Sequence, residues 1–271
     1  MKPERIILKQ ARGILAKGNM PSAVCVTAVL GIAIMLCIYM ADLVVCALDF
    51  AAKLVGITII EDSVILYYAL CIILSSGFLL FALPLFLGAV RFFYNMAKTE
   101  DAVFSDLFHY LSFNRYFKAF GIMLKILCRC LWQAALSFMP GVLIFITAAA
   151  ESIGKEQLDF YNILWYAISY AMIIGGIILF SFLTADKFLA AYICTEYKEL
   201  GGFFLAVVLS QVGMKGYEKS VHRIMLLHLP LLLLCLLVIP SLFILPYIMT
   251  SYAVSAKWLI QLQQKQNNKD E

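Results

Sequence analysis

Apolar and polar positions between residues 4 and 18 follow the period of a helix. Ile7, Ala11, Ile14 and Leu15 share one face, while Arg5, Lys9 and Arg12 share another. This predicts an amphipathic helix over 4–18, closed by Lys17-Gly18-Asn19. After Pro21 the polar face disappears and a long apolar run follows. The same succession returns twice. At 102–113, Phe104, Leu107, Phe108 and Leu111 take positions i, i+3, i+4 and i+7, opposed by Ser105, Asp106, His109 and Ser112. Asn114-Arg115 then leads into apolar sequence. At 201–212 a third, less polar segment ends at Lys215-Gly216 and again enters an apolar run.

A helix that crosses a bilayer needs about 20 mainly apolar residues. The apolar runs predict spans near 21–47, 63–90, 118–149 and 161–194. The last run, 224–260, exceeds one span. Pro240-Ser241 should divide it, because proline lacks an N–H and disfavours helix in the residue before it. The expected fold is therefore all-α: a polytopic membrane protein of about six transmembrane helices with cytoplasmic interfacial helices. Span exits also resemble one another, "LPLFLGAVRFFY", "FSFLTADKFLAAY" and "LPYIMTSYAVSA". Together these suggest one membrane domain of three parallel repeats, 1–97, 98–199 and 200–260, with a polar tail at 261–271. Each repeat would be an interfacial helix, a span, an external hairpin and a span. The competing reading is that amphipathic linkers before spans are common and unrelated.

Composition agrees with a lipid environment. Of 271 residues, 63% are hydrophobic and 14% charged, against roughly 45–50% apolar and about 25% charged in soluble domains. The net charge is only +4, so its placement is more informative. Arg91, Lys98, Arg115 and Lys118 lie between the second and third spans, and Lys198, Lys215, Lys219 and Arg223 between the fourth and fifth. Lys2, Arg5, Lys9, Arg12 and Lys17 precede the first span; Lys257, Lys265 and Lys269 follow the last. Basic loops remain cytoplasmic, so six spans with both termini inside the cell (inner, cytoplasmic) membrane fit throughout. The first apolar run is roughly twice a signal h-region and no A-x-A site closes it, so it is expected to remain as a span.

Eight cysteines are scattered through apolar runs without a CxxC pair. Cys128-Arg129-Cys130 has the wrong spacing for zinc, so these read as small apolar side chains. No GxGxxG, GxxxxGK[ST], HExxH or GxSxG motif is present. His109, His222 and His228 do not form a ligand set by spacing. Neither a cofactor nor enzymatic activity is expected. Charges within apolar stretches are the candidate lipid or substrate contacts: Lys125 and Arg129, one helical turn apart, with Asp186 and Lys187. All lie near an expected interface, where long basic side chains also simply snorkel. Asp42 should end the first span. Pro84, Pro140, Pro230 and Pro246 should kink their helices, and Ala171 with Gly175 should pack helices closely. The basic face Arg5, Lys9, Arg12 and Lys17 should meet anionic headgroups at about 1 kcal/mol per charge, with the apolar face in the headgroup boundary.

Several short motifs carry a resemblance: "AKGN" after the first basic helix, "DLF" before the third span, "PG" within it, then "GMKG" and "LPYIMTSYA". With them the chain resembles a bacterial integral-membrane family catalogued as domain of unknown function 975. That group is related to the membrane domain of some glycerophosphodiester phosphodiesterases. The resemblance implies a topology and no activity. The expected function is non-enzymatic: organising lipid or binding partners at the cytoplasmic interface. The alternative is the permease subunit of a two-component ABC-type exporter, and the least expected is a lipid enzyme. Expected partners are the bilayer with its anionic headgroups and a separate ATPase or other cytoplasmic protein; nucleic acid is not among them.

Overall fold

Pro3, Pro21, Pro84 and Pro240 stand in the first turns of helices, and Gly18 and Gly216 mark turns. In a computed structural model, which describes residues 3–54, 64–152, 160–185, 187–196, 203–235 and 237–270, every element among these residues is helical. Helix α1 (Pro3–Ile14) runs into a kinked turn, Leu15–Asn19, where Gly18 takes φ +96°. Only glycine enters that left-handed region without steric cost. Helix α2 (Met20–Leu54) follows, with Pro21 in its first turn. Helix α3 (Val64–Phe81) and α4 (Leu83–Thr99) are bent from each other by 49°, with Pro84 at the start of α4. First-turn N–H groups have no intrahelical acceptor, so proline costs nothing there.

A 3₁₀ helix (Phe104–Leu111) leads through Ser112 into α5 (Phe113–Ser152), paired in sequence with α6 (Phe160–Ala185). Then come α7 (Ala190–Glu196), α8 (Phe203–Met214), a turn with Gly216 at φ +88°, α9 (Glu218–Leu234) and α10 (Val238–Asp270). The break expected at Pro240-Ser241 is present and falls just upstream, between Leu234 and Val238. Pro240 lies inside the first turn of α10, for the same reason as Pro21 and Pro84. Helices α5, α9 and α10 continue through Pro140, Pro230 and Pro246; of the four prolines expected to kink, only Pro84 sits at a break.

Among the described residues, Glu4–Leu54, Phe113–Ser152, Phe160–Glu196 and Pro240–Lys265 are long and apolar enough to cross a membrane. The bent pair α3–α4 makes a fifth if counted as one span. This is short of the six expected. Helix α9 has only 17 residues and carries His222, Arg223 and His228. Ile32, Met35, Leu36, Leu43 and Leu48 on α2 are exposed, as are Leu131, Leu136, Met139, Leu143 and Ile146 on α5. Helix α6 likewise exposes Ile163, Leu164, Ile174 and Leu179. Soluble monomers rarely expose apolar areas of that extent; such helices are compatible with a membrane-embedded protein. Helix α10 differs: 56% of its apolar window is buried, against 11–17% in the other three stretches.

Two compact units divide the chain. One comprises Gln10–Leu124 and Leu237–Val254, and holds α2, α3, α4 and the 3₁₀ helix. Within it, the Tyr67 hydroxyl donates to the Asp42 carboxylate, tying α2 to α3, and the Arg12 guanidinium lies 5.7 Å from the Tyr247 ring centre. Asp42 therefore lies within α2, which continues to Leu54, and does not end that helix. The other unit comprises Met1–Lys9, Lys125–Leu236 and Ser255–Glu271, and holds α6, α7, α8 and α9. Within it Arg223 reaches Glu4 at 3.5 Å, and the Tyr217 and Trp258 rings meet edge to face.

Candidate functional site

The best-formed polar site joins α4 to the 3₁₀ helix. Arg91 and Asn95 are one turn apart on α4 and point at the same carboxylate. Arg91 Nε donates to Asp106 Oδ1 at 3.0 Å, and Asn95 Nδ2 donates to Asp106 Oδ2 at 2.7 Å. Both members of the ion pair are largely buried, at 16% and 17% exposure, where charge-assisted bonds are strongest. Beside them the backbones touch. A Cβ on Gly88 would overlap the Leu107 carbonyl, so only glycine admits this approach. Leu107 is fully buried, as are Phe92 and Phe93. Burying one leucine stabilises by about 1.5–3 kcal/mol.

The same region locks the turn before α2. Glu100 caps α4 in the left-handed conformation, φ +61°, with its N–H on the Met96 carbonyl. Asn19 Nδ2 donates to the Glu100 carbonyl at 2.9 Å and to the Ile14 carbonyl at 3.0 Å; Lys17 pairs with the Glu100 carboxylate. The Lys17-Gly18-Asn19 turn is thus held from two sides. At the α3–α4 bend, Pro84 has no N–H and Leu85 N bonds to Ala82. Tyr116 of α5 donates to the Phe81 carbonyl at 2.8 Å.

A second polar seam lies between α5 and α6. Gln133 Nε2 donates to the Leu183 carbonyl at 2.9 Å, Ser169 Oγ to the Gly141 carbonyl at 2.9 Å, and Ser152 and Tyr166 hydroxyls meet at 3.0 Å. Gly176 faces the Ser137 carbonyl, which a Cβ would approach to 2.6 Å, and Gly141 faces Ile173. The small residues that permit close packing are therefore Gly141 and Gly176. Gly175 has open space around it and Ala171 is exposed, so the expected Ala171/Gly175 pair is on the outward face. Next to this seam, Ser181 Oγ lies 2.8 Å from His222 Nδ1 and Phe182 stacks on the imidazole at 3.6 Å.

The expected contact residues separate. Lys125 and Arg129 are exposed on α5. Lys187 is buried, with Nζ donating to the Leu183 carbonyl at 3.0 Å at the end of α6. A cation there meets the negative end of the helix dipole, so Lys187 serves the helix end instead of facing outward. Asp186, and any pairing with it, lies outside the described residues. On α1 the predicted faces are present: Ile7, Ala11, Ile14 and Leu15 are buried, while Arg5, Lys9, Arg12 and Lys17 are exposed. The apolar face is covered by protein. In the second segment only Leu107 of the four predicted apolar positions is buried. A 3₁₀ helix has three residues per turn, which splits Phe104/Leu107 from Phe108/Leu111. Asp106, expected to oppose the buried face, turns toward α4 instead.

Asn95 and Gln133 carry polar contacts without having been singled out by the sequence, and Arg91, expected as a loop charge, lies within α4. The available signal was the i, i+4 spacing of Arg91 and Asn95 in an otherwise apolar helix. Among the described residues no group of three or more His, Cys, Asp or Glu side chains could hold a metal ion. Comparison with protein-family models, with curated proteins and with solved structures found no match to this chain.

Proposed function

We propose that this chain is a multi-pass, non-enzymatic membrane protein that organises lipid or binds partners at its cytoplasmic interface. It has six spans, with α9 as the shortest, and both termini in the cytoplasm of the cell membrane. The observation that carries this reading is the docked linker: Asp106 held by Arg91 and Asn95 beside the Gly88–Leu107 contact. A basic connection folded this firmly presents a fixed surface where a flexible tether would not. Three helix-to-helix junctions support the reading, each leading from a short helix through a turn or bend (Gly18, Ser112, Gly216) into a further helix. The short motifs that resemble domain of unknown function 975 are in keeping with this order.

The competing role is a permease that works with a separate ATPase. The deciding experiment purifies the chain from its own membranes in mild detergent and measures ATP hydrolysis of the complex. The proposal expects none that depends on the chain. Vanadate-sensitive hydrolysis that rises with added chain would replace it by the exporter reading.

A further inference from the structure

The segment that ends α4's neighbour and begins α5 carries aromatic side chains that the fold leaves uncovered. Phe104, Phe108, Leu111, Phe113 and Phe117 are exposed, two of them at 80% and 63% (Phe113 and Phe117). They pair edge to face as Phe104–Phe108 and Phe113–Phe117, at 5.6 and 5.7 Å. Arg115 and Lys118 are exposed in the same stretch, and Arg115 also touches the His109 ring at 3.1 Å. Asp106, the one acidic residue between 103 and 118, is already occupied by Arg91. The uncovered surface is therefore aromatic and cationic.

Its position is set by α3. Tyr116 and Phe120 stack together at 6.3 Å, Phe120 stacks on Phe81 at 6.2 Å, and the Tyr116 hydroxyl holds the Phe81 carbonyl. The strip thus begins where the exposed apolar surface of α3, with Leu79 and Phe81, ends. Phenylalanine and leucine beside basic residues are the side chains that interfacial segments insert at the headgroup boundary, and cationic side chains there attract anionic lipid. Helix α1 cannot play this part, since its apolar face is buried.

We propose that residues 103–118 form an anchor seated on anionic phospholipid. The phenylalanines enter between the headgroups, and Arg115 and Lys118 hold the phosphates. This rests on the membrane reading above. The test reconstitutes the full chain, with Trp132, Trp165 and Trp258 replaced by phenylalanine, in vesicles of phosphatidylglycerol and phosphatidylcholine with brominated chains. Phe113→Trp reports the anchor, and Met139→Trp reports the exposed apolar part of α5. The expected result is bromine quenching at both positions. At the first it should weaken in pure phosphatidylcholine and in the Arg115→Gln, Lys118→Gln double variant, by about fivefold in seating per charge removed.

Quenching of Met139→Trp alone overturns the anchor and leaves the membrane reading intact; quenching of neither overturns that reading first. Quenching of Phe113→Trp that ignores lipid charge overturns the headgroup assignment. A Phe113→Trp shielded from both brominated lipid and aqueous iodide overturns the anchor in favour of a covering protein.

Discussion

Asp106 lies fifteen residues after Arg91 and eleven after Asn95, and accepts from both. Removing it leaves a largely buried guanidinium without its carboxylate, which costs more than the pair itself contributes. Asp106→Ala should therefore lower stability by about 1–3 kcal/mol, and Asp106→Asn by less, since an amide oxygen still accepts one bond. Thermal unfolding of the purified chain in detergent checks the order. Gly88→Ala acts on the neighbouring backbone contact: its Cβ would overlap the Leu107 carbonyl, and pushing the chains apart costs about 1–3 kcal/mol. Gly77→Ala, with open space around it on α3, should be neutral or gain up to about 1 kcal/mol from helix propensity. Equal effects of the two glycine variants would remove the close approach as an explanation.

Helices α5 and α6 meet along one seam, and the register of that seam decides which small residues matter. Gly176 faces the Ser137 carbonyl and Gly175 faces open space. Two adjacent glycines on one helix point about 100° apart, so sequence spacing alone could not choose between them. Gly176→Val should separate the helices and lower the midpoint of thermal unfolding. Gly175→Val should change it little, because its side chain would point into open space. A proteolysis time course on reconstituted protein gives an independent reading. Matching losses for the two variants would place the seam elsewhere. Helix α1 illustrates the opposite case. Its buried face followed from the 3.6-residue period, since an α-helix was both expected and formed. The segment at 104–111 departs from that argument: it is a 3₁₀ helix with a period of three, and of its four predicted apolar positions only Leu107 is buried.

At the scale of the molecule, the proposed six spans with internal termini would put 98–116 and 198–220 on one side and 50–62 and 151–160 on the other. In a chain with its eight cysteines removed, a cysteine at Lys98 should react with impermeant reagent only after the cells are opened; one at Lys155 should react in intact cells. Reaction of Lys269→Cys in sealed cells would reverse the C-tail and reduce the count to five. The helical class, the turns at Gly18 and Gly216, the break ahead of Pro240 and the faces of α1 were all legible in the sequence. Each depends on local backbone chemistry or on a period carried by consecutive residues. The carboxylate that Arg91 and Asn95 share, the burial of Lys187 at the end of α6 and the choice of Gly176 over Gly175 were not. Those depend on which residue of another element arrives opposite, and only packing decides that.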